Sequence, residues 1–197
     1  GSTRMGRPKA LLPIPSTNEV FLARLVRTHR AAGVEDVLVV GGGDSAEIGR
    51  YMARALPEVR LLVNPEPAEG QLSSLLVALS AVDRPGVQGL LVALIDHPLV
   101  ASDTIRRVLD AYRRTGAPIV RPVRDGRHGH PVLFDRRTFG ALRRANRASG
   151  AKEVVHAYVG ELVEVEVTDE GVFTDIDTPA DYERAFGVKL EPADRFE

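Results

Sequence analysis

Two observations predict an α/β protein with a doubly wound, mostly parallel sheet, helices on both faces and a small antiparallel edge. Through the middle of the chain, short apolar runs that end in glycine or aspartate alternate with stretches of helical apolar spacing. After residue 117 that rhythm gives way to a compact "VRDGRHGHPVLF" segment that reads as paired strands. One domain over residues 1–197 accommodates both.

Taken in order, "EDVLVVGGG" (35–43) is a β-branched run closing on glycines, and "DSAEIGRYMARAL" (44–56) follows as a helix with Asp44 at its N-cap. "VRLLVNP" (59–65) is a second strand and "EGQLSSLLVALSAV" (69–82) a second helix. "GLLVALIDHP" (89–98) is the most apolar strand, expected to be central and buried on both faces. "SDTIRRVLDAYRRTG" (102–116) is an amphipathic helix with Gly116 as its C-cap. In "APIVRPVRDGRHGHPVLF" (117–134), two strands flank a "DG" turn. Helices over 137–146 and 151–160, a strand over 162–168 and a closing segment over 172–187 complete the chain. This second half is expected to supply an antiparallel edge and a lid rather than a separate core.

Composition narrows the partners. With 44% hydrophobic and 27% charged residues and a net charge of −1, nothing calls for nucleic acid or an anionic membrane as partner. No apolar stretch approaches the ~18 residues of a membrane span. The absence of cysteine excludes disulfides and thiolate chemistry and fits a reducing cytoplasm.

Ligands of open α/β sheets sit beyond the carboxyl ends of the strands, and four features fall there. The opening run "GSTRMGRPKALLPI" places Gly1 and Gly6 at the spacing of a Walker A loop. Arg7, however, stands where that loop needs lysine, and Lys9 comes two residues late, which argues against a P-loop NTPase. Its glycines still let backbone N–H groups approach an anion, and Arg4 and Lys9 can neutralise it; the alternative is a solvated terminus. Asp96 in "LIDHP" is a carboxylate closing a buried strand, which demands an ionic partner or a metal; the alternative is a loop cap. Asp175 and Asp177 in "TDIDTPADY" share one face of an extended segment and invite a divalent cation, with Mg²⁺ suited to oxygen ligands. The same stretch is equally a helix start, with Asp177 or Thr178 as cap and Pro179 at the first position. In "NPEPAEGQLSSL", Gly70 opens a helix whose Ser73 and Ser74 face a ligand, or it is simply a loop and a helix start.

Three weaker signals are set aside. "GGGDSA" (41–46) matches a dinucleotide fingerprint, but glycine there also serves a tight strand-to-helix turn. "HGH" (128–130) with His97 lacks the spacing of a zinc site, and loop histidines near a ligand are the simpler reading. "RRVLDAYRR" reads as a solvated helix face.

These residues resemble a known family, the MobA-like NTP transferases that modify the molybdenum cofactor, and among them the molybdopterin cytidylyltransferase branch. "STRMGRPKALLP" (2–13) is similar to the later part of that family's L-A-A-G-x-S-x-R-M-G-x-x-K-x-L-L-P. "NPEPAEGQLSSL" (64–75) resembles its N-P-x-x-A-E-G-x-x-S-S-L, and "IDHPLV" (95–100) its G-D-x-P-L-V. "RHGHPVLF" (127–134) resembles R-G-H-P-V-L-F, and "DIDTP" (175–179) the closing element. The order and spacing agree along nearly the whole chain.

The resemblance implies a fold of the nucleotide-diphospho-sugar transferase type. It also implies that the opening run is a triphosphate loop whose preceding strand is missing, an amino terminus cut short. Its implied reaction is attack by an acceptor phosphate on the α-phosphate of an NTP, with Mg²⁺ as cofactor and pyrophosphate released. Ser2, Arg4, Met5, Gly6 and Lys9 would cradle the triphosphate, with Arg4, Lys9 and Asp96 as the catalytic groups. Gly70, Ser73 and Ser74 would line the base and ribose. Asp96 would hold the metal with Asp177 or Asp175.

The "RPK" of "MGRPK" (5–9) leans toward the cytidylyl branch and CTP, since guanylyl members more often carry aspartate before that lysine. Two departures touch the acceptor. Ile95 replaces a small residue, and His97 stands where glutamine or methionine is common, so His97 and His130 are expected to bind the acceptor. The acceptor implied is molybdopterin, with a molybdoenzyme as possible partner. The alternatives are another phosphorylated small molecule, such as a sugar or polyol phosphate, or a non-catalytic nucleotide-binding protein that delivers cofactor.

Overall fold

The computed structural model describes residues 5–15, 17 and 19–191. Two short antiparallel strands, β1 (Pro13–Ile14) and β2 (Glu19–Val20), lead into α1 (Phe21–Ala31). β3 (Leu38–Gly41), α2 (Ser45–Ala55) and β4 (Arg60–Val63) then form a parallel βαβ unit, with Leu38 opposite Arg60 and Gly41 opposite Val63. α3 (Gln71–Val82), β5 (Gly89–Val92) and α4 (Ser102–Thr115) follow. β6 (Ile119–Arg124), β7 (Arg127–His128), β8 (Val132–Asp135), α5 (Phe139–Arg144), α6 (Ala151–Ala157), β9 (Val163–Glu166) and α7 (Pro179–Phe186) complete the order.

Five of these strands make one sheet in the order β5-β8-β6-β7, with β9 joining β6 in parallel. β6 and β7 pair through the expected turn, whose Asp125 and Gly126 both have positive φ (50° and 74°). That is the dihedral demand that "DG" meets in a two-residue hairpin. β8 lies between β5 and β6 and is antiparallel to both, so the antiparallel part reaches further into the sheet than an edge.

The alternation of side chains explains why helices cover both faces of that sheet. On β8, Val132 and Phe134 pack with Leu72, Leu75 and Leu79 of α3, Phe139 and Leu142 of α5, and Val154 of α6. Leu133, between them, packs on the opposite face with Val108 and Ala111 of α4. β6 divides the same way, Ile119 going with the first group and Val120 with the second. α4 ends at Gly116, whose left-handed φ of 58° directs its N–H to Tyr112 O.

α1 and α2 form a third core with Leu22, Val26, Ile48 and Met52. Met5, Leu12, Ile14, Phe21, Ile176 and Tyr182 form a fourth, which ties the start of the chain to its end. α1 is an element beyond those expected from sequence, and it carries both of these cores.

β5 is shorter than its apolar run and is half-buried throughout, not sealed on both faces. The cause is a cavity of about 1610 Å³, lined by Leu38, Val39 and Val40 of β3 and by Leu90, Leu91 and Val92 of β5. β3 is hydrogen-bonded to β4 and β5 to β8, so among the described residues no ladder crosses this opening.

Candidate active site

Beyond β5 the chain turns through 93–98, with His97 N donating to Leu94 O (3.3 Å), and brings Asp96 and His97 to the surface of the cavity end of the sheet. The 169–177 segment is stitched onto that turn. Asp169 Oδ2 accepts from Ala101 N (2.8 Å) and from Thr104 Oγ1 (2.7 Å), and its Oδ1 accepts from Gly171 N (3.0 Å). Gly171 sits so close that a Cβ there would lie 2.2 Å from Leu99 O. Ile176 N then donates to Asp96 O (2.9 Å), which fixes Asp175 beside Asp96.

The result is a group of three donors, Asp96, His97 and Asp175, with one ligand atom from each lying within 4.8 Å of the others. Asp96 Oδ1 and His97 Nδ1 are buried and have no hydrogen-bond partner among the described residues. Buried polar atoms are nearly always paired, because stripping their water without replacement is costly. Orphaned atoms in a mixed carboxylate and imidazole group fit a divalent cation. The Asp175 carboxyl is pushed up by burial and, after that, by the charge of Asp96, as expected of crowded acids.

Lys9 completes this wall. Its Nζ is 3.9 Å from Asp96 Oδ2 and ion-paired with Asp177. The two aspartates of "DID" therefore part company, Asp175 joining the donor group and Asp177 pairing with lysine. The helix cap falls to Thr178, which exchanges a capping box with Asp181 ahead of Pro179. His130 stands 5.8 Å from His97, ring to ring, and its Nδ1 lies 3.3 Å from Val92 O. Burial, more than any neighbour, pushes the His130 imidazole down.

The facing wall is built around Asn64, just past β4 and 3% exposed. Its Nδ2 donates to Ser73 Oγ (2.8 Å) and Ser74 Oγ (3.0 Å), and its Oδ1 accepts from Glu66 N (2.9 Å). Ser73 Oγ in turn lies 2.8 Å from Gly70 O. Gly70, with φ 87° and ψ −171°, adopts a conformation essentially closed to other residues as it starts α3. Gly70, Gln71 and Ser74 line the same cavity as Asp96 and His130, whereas Ser73 is buried behind them.

Of the remaining expected residues, Met5 is 5% exposed and packs in the core with Ile176 and Tyr182. Gly6 turns the chain with φ 70°. Ile95 packs between the third and fourth cores and also lines the cavity. Ser2 and Arg4 lie outside the described residues. Asn64 and Asp169 escape the sequence reading, although Asn64 stands in plain view as the first residue of "NPEPAEGQLSSL".

Acids and a lysine at strand ends, facing a glycine-turned helix start, suit a chemistry that needs positioned charge and no covalent nucleophile. By class this is a nucleotidyltransferase. More narrowly, the chain belongs to the MobA-like NTP transferase domain family, which matches residues 1–163. It is 26% identical over 182 residues to the molybdenum cofactor cytidylyltransferase of Escherichia coli, covering 92% of this chain and 88% of that one. It is 32% identical over 119 residues to a probable molybdenum cofactor guanylyltransferase of Rhodopirellula baltica, covering 60% of this chain. That match spans about half, 54%, of the Rhodopirellula protein. Among solved structures, Rv0371c of Mycobacterium tuberculosis superimposes with a TM-score of 0.79 at 31% identity, over 95% of this chain and 94% of that one. The same protein complexed with manganese gives a TM-score of 0.75 at 32% identity, over 91% of each chain.

Proposed function

We propose that this protein transfers a nucleotidyl group, CMP from CTP, to the terminal phosphate of a molybdopterin-type acceptor and releases pyrophosphate. The observation that carries the reading is the donor group of Asp96, His97 and Asp175 beside Lys9, in which Asp96 lines the same cavity as Gly70, Gln71 and Ser74 of the α3 start.

A divalent cation held by Asp96 with Asp175 would supply Lewis-acid charge to the phosphate oxygens; Mg²⁺ is the first candidate, and the manganese complex of the mycobacterial relative supports divalent ions more broadly. The protein's own groups do the rest. Lys9 carries positive charge into the same corner, where it stabilises the charge that develops on the α-phosphoryl oxygens and the leaving pyrophosphate. Arg4 and Ser2, with the backbone around Met5 and Gly6, complete the triphosphate cradle. Gly70 leaves the first N–H groups of α3 uncovered toward the cavity, and Ser74, which accepts from Asn64, keeps its own hydroxyl proton to offer the base or ribose. Asp177 holds Lys9 in place until phosphate competes for it. The acceptor phosphate is itself an anion, so no side chain need act as nucleophile or strong base. His130, buried and disfavoured as a cation, offers a neutral imidazole to the acceptor. A cytoplasmic enzyme handing its product to a molybdoenzyme is the setting that fits a cysteine-free chain.

Pyrophosphate release tests this directly. The full chain is assayed with CTP, GTP, ATP or UTP and Mg²⁺, with and without molybdopterin cofactor. Release with CTP only when that cofactor is present is the expected result. Release with a sugar or polyol phosphate instead would move the acceptor, and nucleotide binding without release under any condition would favour cofactor delivery.

A further inference from the structure

His97 is the residue whose placement the sequence pattern explains least. It directly follows Asp96, is 13% exposed at its side chain, and leaves Nδ1 buried without a hydrogen-bond partner among the described residues. Its Nε2 stands 3.7 Å from Asp96 Oδ1. That is too long for a hydrogen bond, yet within the ~4.2 Å that separates two atoms on opposite sides of one ion with bonds of ~2.1 Å. The His130 ring lies beside that of His97, with 5.8 Å between ring centroids.

We infer that His97 is a nitrogen ligand in the metal seat, and that it shifts the seat's preference from Mg²⁺ toward first-row transition ions. The inference rests on the reading that Asp96 and Asp175 hold a divalent cation. Mg²⁺ prefers oxygen donors and retained water, whereas imidazole adds affinity progressively along the series from Mn²⁺ to Co²⁺ and beyond. Two carboxylates and an imidazole, in place of carboxylates alone, thus change which ion fills the seat without changing the charge that it carries.

The test uses the full chain and the ions Mg²⁺, Mn²⁺ and Co²⁺ alone. Mn²⁺ binding is followed by the electron paramagnetic resonance of the free ion, Co²⁺ by its visible absorption, and Mg²⁺ by competition. Pulsed resonance on bound Mn²⁺ reads nitrogen coupling in the unsubstituted protein, a readout that no variant has to fold to provide. Affinity rising from Mg²⁺ to Mn²⁺ to Co²⁺, with nitrogen coupling present, is the expected result. His97→Gln should remove the coupling and weaken Co²⁺ and Mn²⁺ by about 10- to 100-fold, with a smaller change for Mg²⁺. No nitrogen coupling, or a His97→Gln protein that holds both ions as before, overturns the inference. Asp96→Asn separates the two levels. If it releases the ions while His97→Gln does not, the seat stands and only the role of His97 falls. If it releases nothing, the seat falls and the inference with it.

Discussion

The two walls of the site use polar groups in opposite ways. Around Asn64 nearly every donor meets an acceptor inside the protein, from the Asn64 amide through Ser73 to Gly70 O. On the acid wall Ile176 N holds the turn at Asp96 O and Lys9 pairs with Asp177, while Asp96 Oδ1 and His97 Nδ1 find no hydrogen-bond partner among the described residues. A satisfied network fixes a shape, and here it fixes the glycine conformation that starts α3. An unsatisfied group stores an affinity for what is added later. The serine wall is therefore the mould and the acid wall is the reactive face.

Substitutions should break along that line. Asp96→Asn should lower pyrophosphate release by on the order of 10²–10³ and leave the melting temperature little changed, since its side chain is part-exposed and its ion pair with Lys9 is long, at 3.9 Å. A large loss of stability would place Asp96 in the mould instead. Gly171→Ala should destabilise by ~1–3 kcal/mol through overpacking, measured by urea unfolding, and should also weaken Mn²⁺ binding, because the clash with Leu99 O displaces Asp175. Asn64→Ala should cost ~1–3 kcal/mol by stranding its partners and raise KM for the nucleotide more than it lowers kcat. Ser74→Ala, which removes one hydroxyl facing the cavity, should leave stability within ~0.5 kcal/mol and raise that KM only severalfold.

His29 in α1 gives a control that belongs to neither wall, although it lines the same cavity. Its Nδ1 is bonded to Leu25 O (2.8 Å), its Nε2 has no partner among the described residues, and burial pushes its imidazole below the usual 6.5. The unfolded chain then binds the proton first as pH falls. Stability should hold above pH 6.5 and decline below it, and His29→Gln should flatten that decline in a series of thermal melts.

The parts of this molecule that were legible in sequence are those where chemistry and local geometry coincide. The "DG" turn and the Gly116 cap follow from dihedral demands of single residues, whereas Asp44 stands at the start of α2 without a side-chain bond to cap it. Asp96 stood out because a carboxylate closing an apolar strand has few other uses. Long-range pairings were not legible. Nothing local announces that β8 will slide between β5 and β6, or that Asp177 will meet a lysine 168 positions earlier. α1 carries apolar residues at 21, 22, 25 and 26, a helical spacing, but it borders no glycine- or aspartate-ended strand and so lay outside the alternation. Asn64 was hidden differently, its value lying in two serines a turn and a helix start away.

The opening between β3 and β5 leaves a signature in time as well as in shape. Along a strand bonded on one side, successive amides point alternately toward the neighbour and away from it. Residues 38–41 and 89–92 should therefore exchange their amide hydrogens for deuterium in a comb, slow and fast by turns. In β6, paired on both sides at Val120, the comb's teeth close around that residue.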